Sequence, residues 1–205
     1  MTAGQRLARF VTTAVVRAPF LWRVFRRPLT RNFDRLAPVW DATRVDRRRL
    51  QVMRTALEAL PDPPARVLDV GTGTGAIARL AAELWPHAEI VGVDAAPGMV
   101  AEARRLASTD RERYEVADAS ALPFADASFE LVTLNNMIPF FDELARVTAP
   151  GGLVAVAYSS GAQTPIWVPL ERIRSGLERR GLTHVSDFSV GPGLSLLARK
   201  DDVPL

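Results

Sequence analysis

Apolar residues in the first quarter of the chain recur at helical spacing, and from residue 66 onward they gather into short runs separated by helical stretches. Leu7, Phe10, Val11, Ala14 and Val15 share one face, with Arg6, Arg9 and Arg17 mostly on the other, which predicts an amphipathic helix. Pro19 interrupts it. Phe20, Leu21, Val24 and Phe25 form a second apolar stripe opposite Arg23, Arg26 and Arg27. Pro28, which has no N–H for the helical ladder, is expected to stop that helix. A further helix is expected over residues 46–60, closed by Pro61, Pro63 and Pro64.

Beyond the prolines, residues 66–70 read as a short strand, and Gly71, Gly73 and Gly75 follow at alternate positions before a helical run over 76–84. Strands are then expected at 90–93, 113–116, 129–134 and 153–157, with helices at 99–106, 141–147 and 170–180 between them. Pro150-Gly151-Gly152 is expected to turn the chain into the 153–157 strand. Residues 185–190 and 194–198, joined by Gly191-Pro192-Gly193, read as an antiparallel hairpin. The alternation predicts an α/β fold: a Rossmann-like, doubly wound sheet of seven strands with a C-terminal antiparallel hairpin and an N-terminal helical arm.

Charge divides the chain at a similar place. Residues 1–54 hold 13 arginines against Asp34, Asp41 and Asp46, a balance of +10, whereas residues 55–205 carry −7, so the net +3 hides a basic arm on an acidic body. We expect an arm or lid over residues 1–50 and a ligand-binding domain over residues 51–205. Three readings fit the arm: peripheral contact with an anionic membrane or a lipophilic substrate, a helical lid packed on the body, or an acid-free, arginine-rich targeting segment. No stretch approaches the roughly 20 apolar residues that a spanning helix needs, so a cytoplasmic location, peripheral to a membrane at most, is expected. No nucleic-acid module is evident, and no nucleic-acid partner is expected.

Scarce residues narrow the chemistry. The 205 residues include no cysteine, and His87 and His184 are the only histidines, so no thiolate chemistry and no metal site are expected. Lys200 is the sole lysine, which leaves a Walker-type phosphate loop or a Schiff base without a candidate.

Gly71-x-Gly73-x-x-Ala76 also fits a dinucleotide fingerprint. Asp69, two residues before the first glycine, would repel a pyrophosphate, and no cationic side chain occurs between Val67 and Ala78. Both features favour a ligand with an ammonium and a sulfonium. Asp94 ends the next strand, 19 residues beyond Gly75, where it can accept hydrogen bonds from a ribose diol.

These residues carry a resemblance. Val67-Leu68-Asp69-Val70-Gly71-Thr72-Gly73-Thr74-Gly75, Val91-Gly92-Val93-Asp94, Ala95-Ala96-Pro97-Gly98-Met99, Ala117-Asp118-Ala119 and Pro150-Gly151-Gly152 stand in the order and spacing of class I S-adenosylmethionine-dependent methyltransferases. The chain resembles that family over roughly residues 30–200. The resemblance implies S-adenosyl-L-methionine as cofactor. It places Gly71, Thr72, Gly73 and Gly75 against the methionine part, with Asp69 supporting the ammonium. It also assigns Asp94 and the adjoining Ala95 to the ribose region, Met99 and Ala119 to the adenine, Asp118 to the exocyclic amine, and Asn135 to the neighbourhood of the sulfonium. The segment Phe33-Asp34-Arg35-Leu36-Ala37-Pro38-Val39-Trp40-Asp41 is similar to the short lid preceding the fold in quinone-biosynthesis methyltransferases. A histidine-containing segment common after the fourth strand is replaced here by Asn135-Asn136-Met137-Ile138-Pro139-Phe140-Phe141.

The expected activity is in-line methyl transfer to a small lipophilic or aromatic acceptor, for which the protein's main task is alignment. Asp142, Glu143, Tyr158 and His184 are the candidate bases if the acceptor must lose a proton, and Phe140, Phe141 and Trp167 are candidates for an apolar pocket. Three alternatives remain open: a dinucleotide-dependent oxidoreductase, a cofactor-binding regulatory or scaffold protein without turnover, and a protein or nucleic-acid methyltransferase, which the absence of an Asn/Asp-Pro-Pro-Tyr-type motif opposes. The acceptor atom and the oligomeric state are not specified by these residues.

Overall fold

A computed structural model describes residues 3–202. Seven strands form one sheet: β1 (Arg66–Val70), β2 (Glu89–Asp94), β3 (Glu112–Val116), β4 (Phe129–Asn135), β5 (Thr148–Tyr158), β6 (Leu182–Val190) and β7 (Gly193–Lys200). Their order is β3-β2-β1-β4-β5-β7-β6. The first five run parallel, and β7 is antiparallel to both β5 and β6. Chain order reverses between β1 and β4, and that switch point positions the site.

Because side chains alternate across a strand, the period-2 pattern sorts the core into two layers. Val67, Leu131, Leu153 and Ala155 face one side, where they pack with α3 (Arg47–Glu58), α4 (Ala76–Leu84) and α5 (Pro97–Leu106). Leu68, Val132, Val154 and Val156 face the other, against α6 (Phe141–Val147) and α7 (Leu170–Glu178). Asp46 caps α3, accepting from the Arg48 and Arg49 amides. The charge boundary near residue 50 therefore falls inside a helix whose Val52, Met53, Ala56 and Leu57 belong to the body's core.

The arm consists of α1 (Ala3–Arg17), a 3-10 turn at Pro19–Leu21 and α2 (Trp22–Arg44). The break at Pro19 occurs as expected, but Pro28 does not stop α2, which also passes through Pro38. An interior proline costs about 3 kcal/mol, and contacts along the helix offset it. Trp22 packs edge-on against Phe140 at 5.6 Å between ring centroids. Farther along, Asp34 accepts from the Gly98 amide at 2.8 Å.

The buried side of α1 is also narrower than its apolar pattern implies. Val11, Thr12 and Val15 are buried on the body, whereas Leu7 and Phe10 are exposed, as are Phe20 and Val24 beyond the break. Rotating the helix to bury all the apolar positions would lift Val11 and Val15 out of the core. Pro150-Gly151-Gly152 lies within β5 rather than before it. Gly151 adopts φ +70° beside a register shift between Phe129 and Leu131, so the expected turn is a bulge. Among the described residues, no helix is long and apolar enough to cross a membrane.

Candidate functional site

The carboxyl ends of β1, β2 and β4 open into a cavity of about 240 Å³, closed on its other side by α2 and the start of α3. β1 delivers the glycine loop to it. The amides of Gly71 and Thr72 donate to the Val93 carbonyl at 2.8 and 2.9 Å, which ties the loop to the end of β2. Gly75 has φ +84° as the residue before α4, and a Cβ there would lie 2.7 Å from the Tyr114 hydroxyl, so that glycine serves the fold. At Gly73 the only neighbour of such a Cβ is Trp40 Nε1, at 4.0 Å. That glycine leaves room in the cavity wall.

Asp94 clips the loop in place: one carboxylate oxygen accepts from the Gly73 amide at 3.0 Å and the other from the Ala96 amide at 2.9 Å. Burial pushes its pKa up, and the backbone donors pull against that shift. Asp69 is fully buried and accepts from the hydroxyls of Thr133 at 2.8 Å and Thr72 at 2.6 Å. Burial raises its pKa to about 6 despite these donors.

Ala95, Met99 and Ala119 line the cavity. Asn135 does too, and its Oδ1 is buried without a hydrogen-bond partner. A buried acceptor lacking a donor, in the same cavity wall as the uncrowded Gly73, is the environment that a ligand bearing N–H groups would complete.

Asp118 is placed differently. It is not part of the cavity wall, and both its oxygens are engaged. Trp22 Nε1 and the Ser120 amide and hydroxyl donate to one, and Arg26 donates to the other. Partial burial raises its pKa, but these donors outweigh it and hold the carboxyl below its ordinary value. The arm thus reaches the acid that the resemblance assigns to an exocyclic amine.

α2 is also fastened over the glycine loop, because Asp41 accepts from Thr74 and, at 2.9 Å, from Arg79. Phe33 and Trp40, edge to face at 5.7 Å, pack over Met99 on this side of the cavity.

None of the candidate bases reaches the cavity. Asp142 is an exposed partner of Arg180, Glu143 is held by Arg146 and the Leu122 amide, and His184 pairs with Asp187 on β6. Tyr158 is buried in the sheet's other layer, donating to the Met137 carbonyl at 3.3 Å, and burial lifts its pKa far above the ordinary phenol range. The aromatic candidates also lie outside this cavity, packed in or against the core. Phe140 lies on Trp22, Trp167 on Tyr158, and Phe141 beneath Gly176.

The apolar wall comes instead from Trp22, Leu29, Met137, Ile138 and Ile166. Ser159 and Ser160, just past β5, also line it, and the rule that ligands gather at strand ends could have found them. Arg44, stacked over Trp40 at 5.6 Å, and Arg49 were not foreseen. With Asp69 and Asp94 they are the charged residues of the wall among the described residues.

Comparison with known proteins agrees with this geometry. Residues 67–152 match a family model described as a methyltransferase domain. The chain is 45% identical over 107 residues to a demethylmenaquinone methyltransferase of Thermus thermophilus, covering 48% of this chain and 49% of that protein. It is 40% identical over 141 residues to a malonyl-[acyl-carrier protein] O-methyltransferase of Geobacter sulfurreducens, covering 64% and 53%. The chain thus spans about half the length of these curated relatives. Its fold matches the structure of a complex between the Haloferax volcanii Trm112 methyltransferase activator and a methyltransferase. The TM-score there is 0.71 at 21% identity, with 82% of this chain and 97% of the other covered. Motif order, family model, sequence relatives and sheet topology all support a class I S-adenosylmethionine-dependent methyltransferase: residues 67–152 match the methyltransferase domain, and the chain has the fold.

Proposed function

We propose that the chain binds S-adenosylmethionine in the cavity at the β1–β4 switch point and transfers its methyl group to a small lipophilic or aromatic acceptor. The carrying observation is the wall itself: the Asp94-clipped loop with open space at Gly73, and the unpartnered Asn135 Oδ1 in the same wall. The cofactor, when bound, supplies a methyl group already activated on a sulfonium, so alignment is the protein's main contribution.

In this reading Asp94 holds the ribose hydroxyls, with Ala95 beside it, and Met99 and Ala119 pack on the adenine. Asp69 and Asn135 serve the amino-acid end with the glycine loop, and Arg44 and Arg49 are the cations available to a carboxylate. Trp22, Leu29, Met137 and Ile138 exclude water from the acceptor side, and their apolar character supports a lipophilic acceptor. With none of the candidate bases at the cavity, the reading favours an acceptor that ionises in water, such as a phenol or enol. The exposed apolar positions of the arm support peripheral contact with a membrane, where such acceptors partition.

Calorimetric titration with S-adenosylmethionine, S-adenosylhomocysteine and NADH tests the reading. Binding of the first two without NADH is expected, followed by methylation of a quinol or phenol in a screen. Binding of NADH alone would favour the oxidoreductase, and cofactor binding with no turnover across acceptors would favour the regulatory protein.

A further inference from the structure

A second cavity, of about 320 Å³, lies between α1 and the residues that lead into α7. Val16, Trp167, Val168 and Pro169 give it an apolar floor, and Arg9, Arg17 and Arg172 line it without any carboxylate. The Arg9 guanidinium is fixed by three carbonyls, those of Ala162 and Thr164 at 2.7 Å and Pro165 at 3.4 Å. Carbonyls orient that charge but do not neutralise it. Arg17 and Arg172 make no ion pair among the described residues, and Glu171, the acid next to Arg172 in the chain, is engaged by Arg174. Three arginines around an apolar floor call for a ligand that is anionic at one end and apolar at the other.

The surface of the arm says which. Leu7, Phe10, Phe20 and Val24 are 62%, 64%, 71% and 66% exposed, and they are four of the seven large exposed hydrophobics among the described residues. On α1, Leu7, Phe10 and Arg17 are spaced three and seven residues apart, so they fall on one stripe, which ends at the cavity. On α2, Val24 and Arg27 stand two and five residues into the helix, with Phe20 one turn before Val24. Apolar side chains in line with cations are the layout of a helix lying in a membrane interface. Arg6, Arg23 and Arg27 are exposed too, and the acidic balance of residues 55–205 orients the arm toward an anionic surface.

We propose that this cavity binds the phosphate headgroup of an anionic phospholipid, with Leu7, Phe10, Phe20 and Val24 entering the acyl boundary beside it. The inference deepens the peripheral membrane placement proposed above and does not depend on the methyl-transfer chemistry.

The test is sedimentation of the full chain with phosphatidylcholine vesicles and with phosphatidylcholine–phosphatidylglycerol vesicles. S-adenosylhomocysteine titration of the same samples reports whether the methyltransferase site is intact, and a separate titration with inorganic phosphate reports a soluble anion. Partition onto the anionic vesicles alone is expected. The Arg17→Gln/Arg172→Gln pair should lower it by about tenfold or more. The Phe10→Ser/Phe20→Ser pair should lower it comparably, and neither pair should change S-adenosylhomocysteine affinity. Arg9 is left in place because it anchors residues 162–165.

Equal partition onto both vesicle types, no partition onto either, or indifference to both pairs overturns the proposal. Phosphate binding that the arginine pair abolishes, without vesicle binding, would assign the cavity to a soluble phosphate ester instead. Vesicle binding without S-adenosylhomocysteine binding would leave this inference standing and remove the proposed reaction.

Discussion

Asp69 is a carboxylate held entirely out of water, and the price of that position is set by pH. Its pKa is raised to about 6, so the folded protein holds the proton more tightly than the unfolded chain does. The stability this contributes is present below the ordinary carboxylate range and is lost as pH rises through about 6. Ligand binding has the opposite sign, because an ammonium is favoured by the ionised form. Affinity for S-adenosylhomocysteine should be level above about pH 6 and fall as pH drops below it, and Thr133→Val, which removes a donor, should move that break upward. Titrations across the break measure it, and an affinity flat with pH would take Asp69 out of the site. Asp94→Ala should weaken the same ligand by about 1.5–3 kcal/mol, roughly ten- to 150-fold, if charge-assisted bonds to the ribose are lost; unchanged calorimetric affinity would show the ribose lies elsewhere. Both acids could be read from the chain because they flank a glycine loop at strand ends. Arg44 and Arg49 could not, because only the placement of the end of α2 and the start of α3 over the loop brings them to the cavity, and nothing local in an arginine-rich segment distinguishes them.

At the scale of elements, strands were legible and the arm was only half so. Residues 66–70, 76–84 and 141–147 begin and end as the pattern implies, since glycines and prolines bound them and their apolar faces meet the sheet. Helix α2 overruns Pro28 because its fate is decided by what it touches: Phe140 at one end, and Gly98, Thr74 and Arg79 farther along. Which part of α1's apolar stripe is buried likewise depends on a partner surface that the helix itself does not encode. The most consequential contact of the arm is with Asp118, where Trp22 and Arg26 hold positions on the carboxylate that an exocyclic amine would need. Trp22→Phe keeps an aromatic ring on Phe140 but removes the N–H together with part of the indole. Stability should fall modestly from the lost packing, while Asp118 retains its Ser120 donors and S-adenosylhomocysteine should bind severalfold tighter. Weaker binding in calorimetry would mean that the indole N–H belongs to the ligand site rather than competing with it.

Across the whole molecule, the proposed chemistry and the proposed membrane orientation fall to different parts. The parallel strands and their crossovers build the cavity, and the arm closes it while carrying the chain's net positive balance. The expectation of an arm and a body comes from the charge count, and the four candidate bases show where residue type alone stops short. Those side chains were picked by residue type, and the packing of α6, β5 and β6 turned every one of them away from the cavity. One further consequence follows from strand order. β7 comes after β6 in the chain yet lies between β5 and β6, bonded to both, with Lys200 donating to the carbonyls of Ala145 and Thr148 at 2.7 Å. During synthesis, β5 and β6 therefore emerge with no partner for each other, and one edge of the long, apolar β5 stays open until β7 arrives. A chain cut after Val190 should be recovered in the aggregated fraction rather than as a monomer, because an open apolar edge recruits other chains. A monomeric truncated form that still binds S-adenosylhomocysteine would show that the parallel half closes alone. The sheet is sealed from within, and a nascent chain stalled before Gly193 is the form most in need of a chaperone.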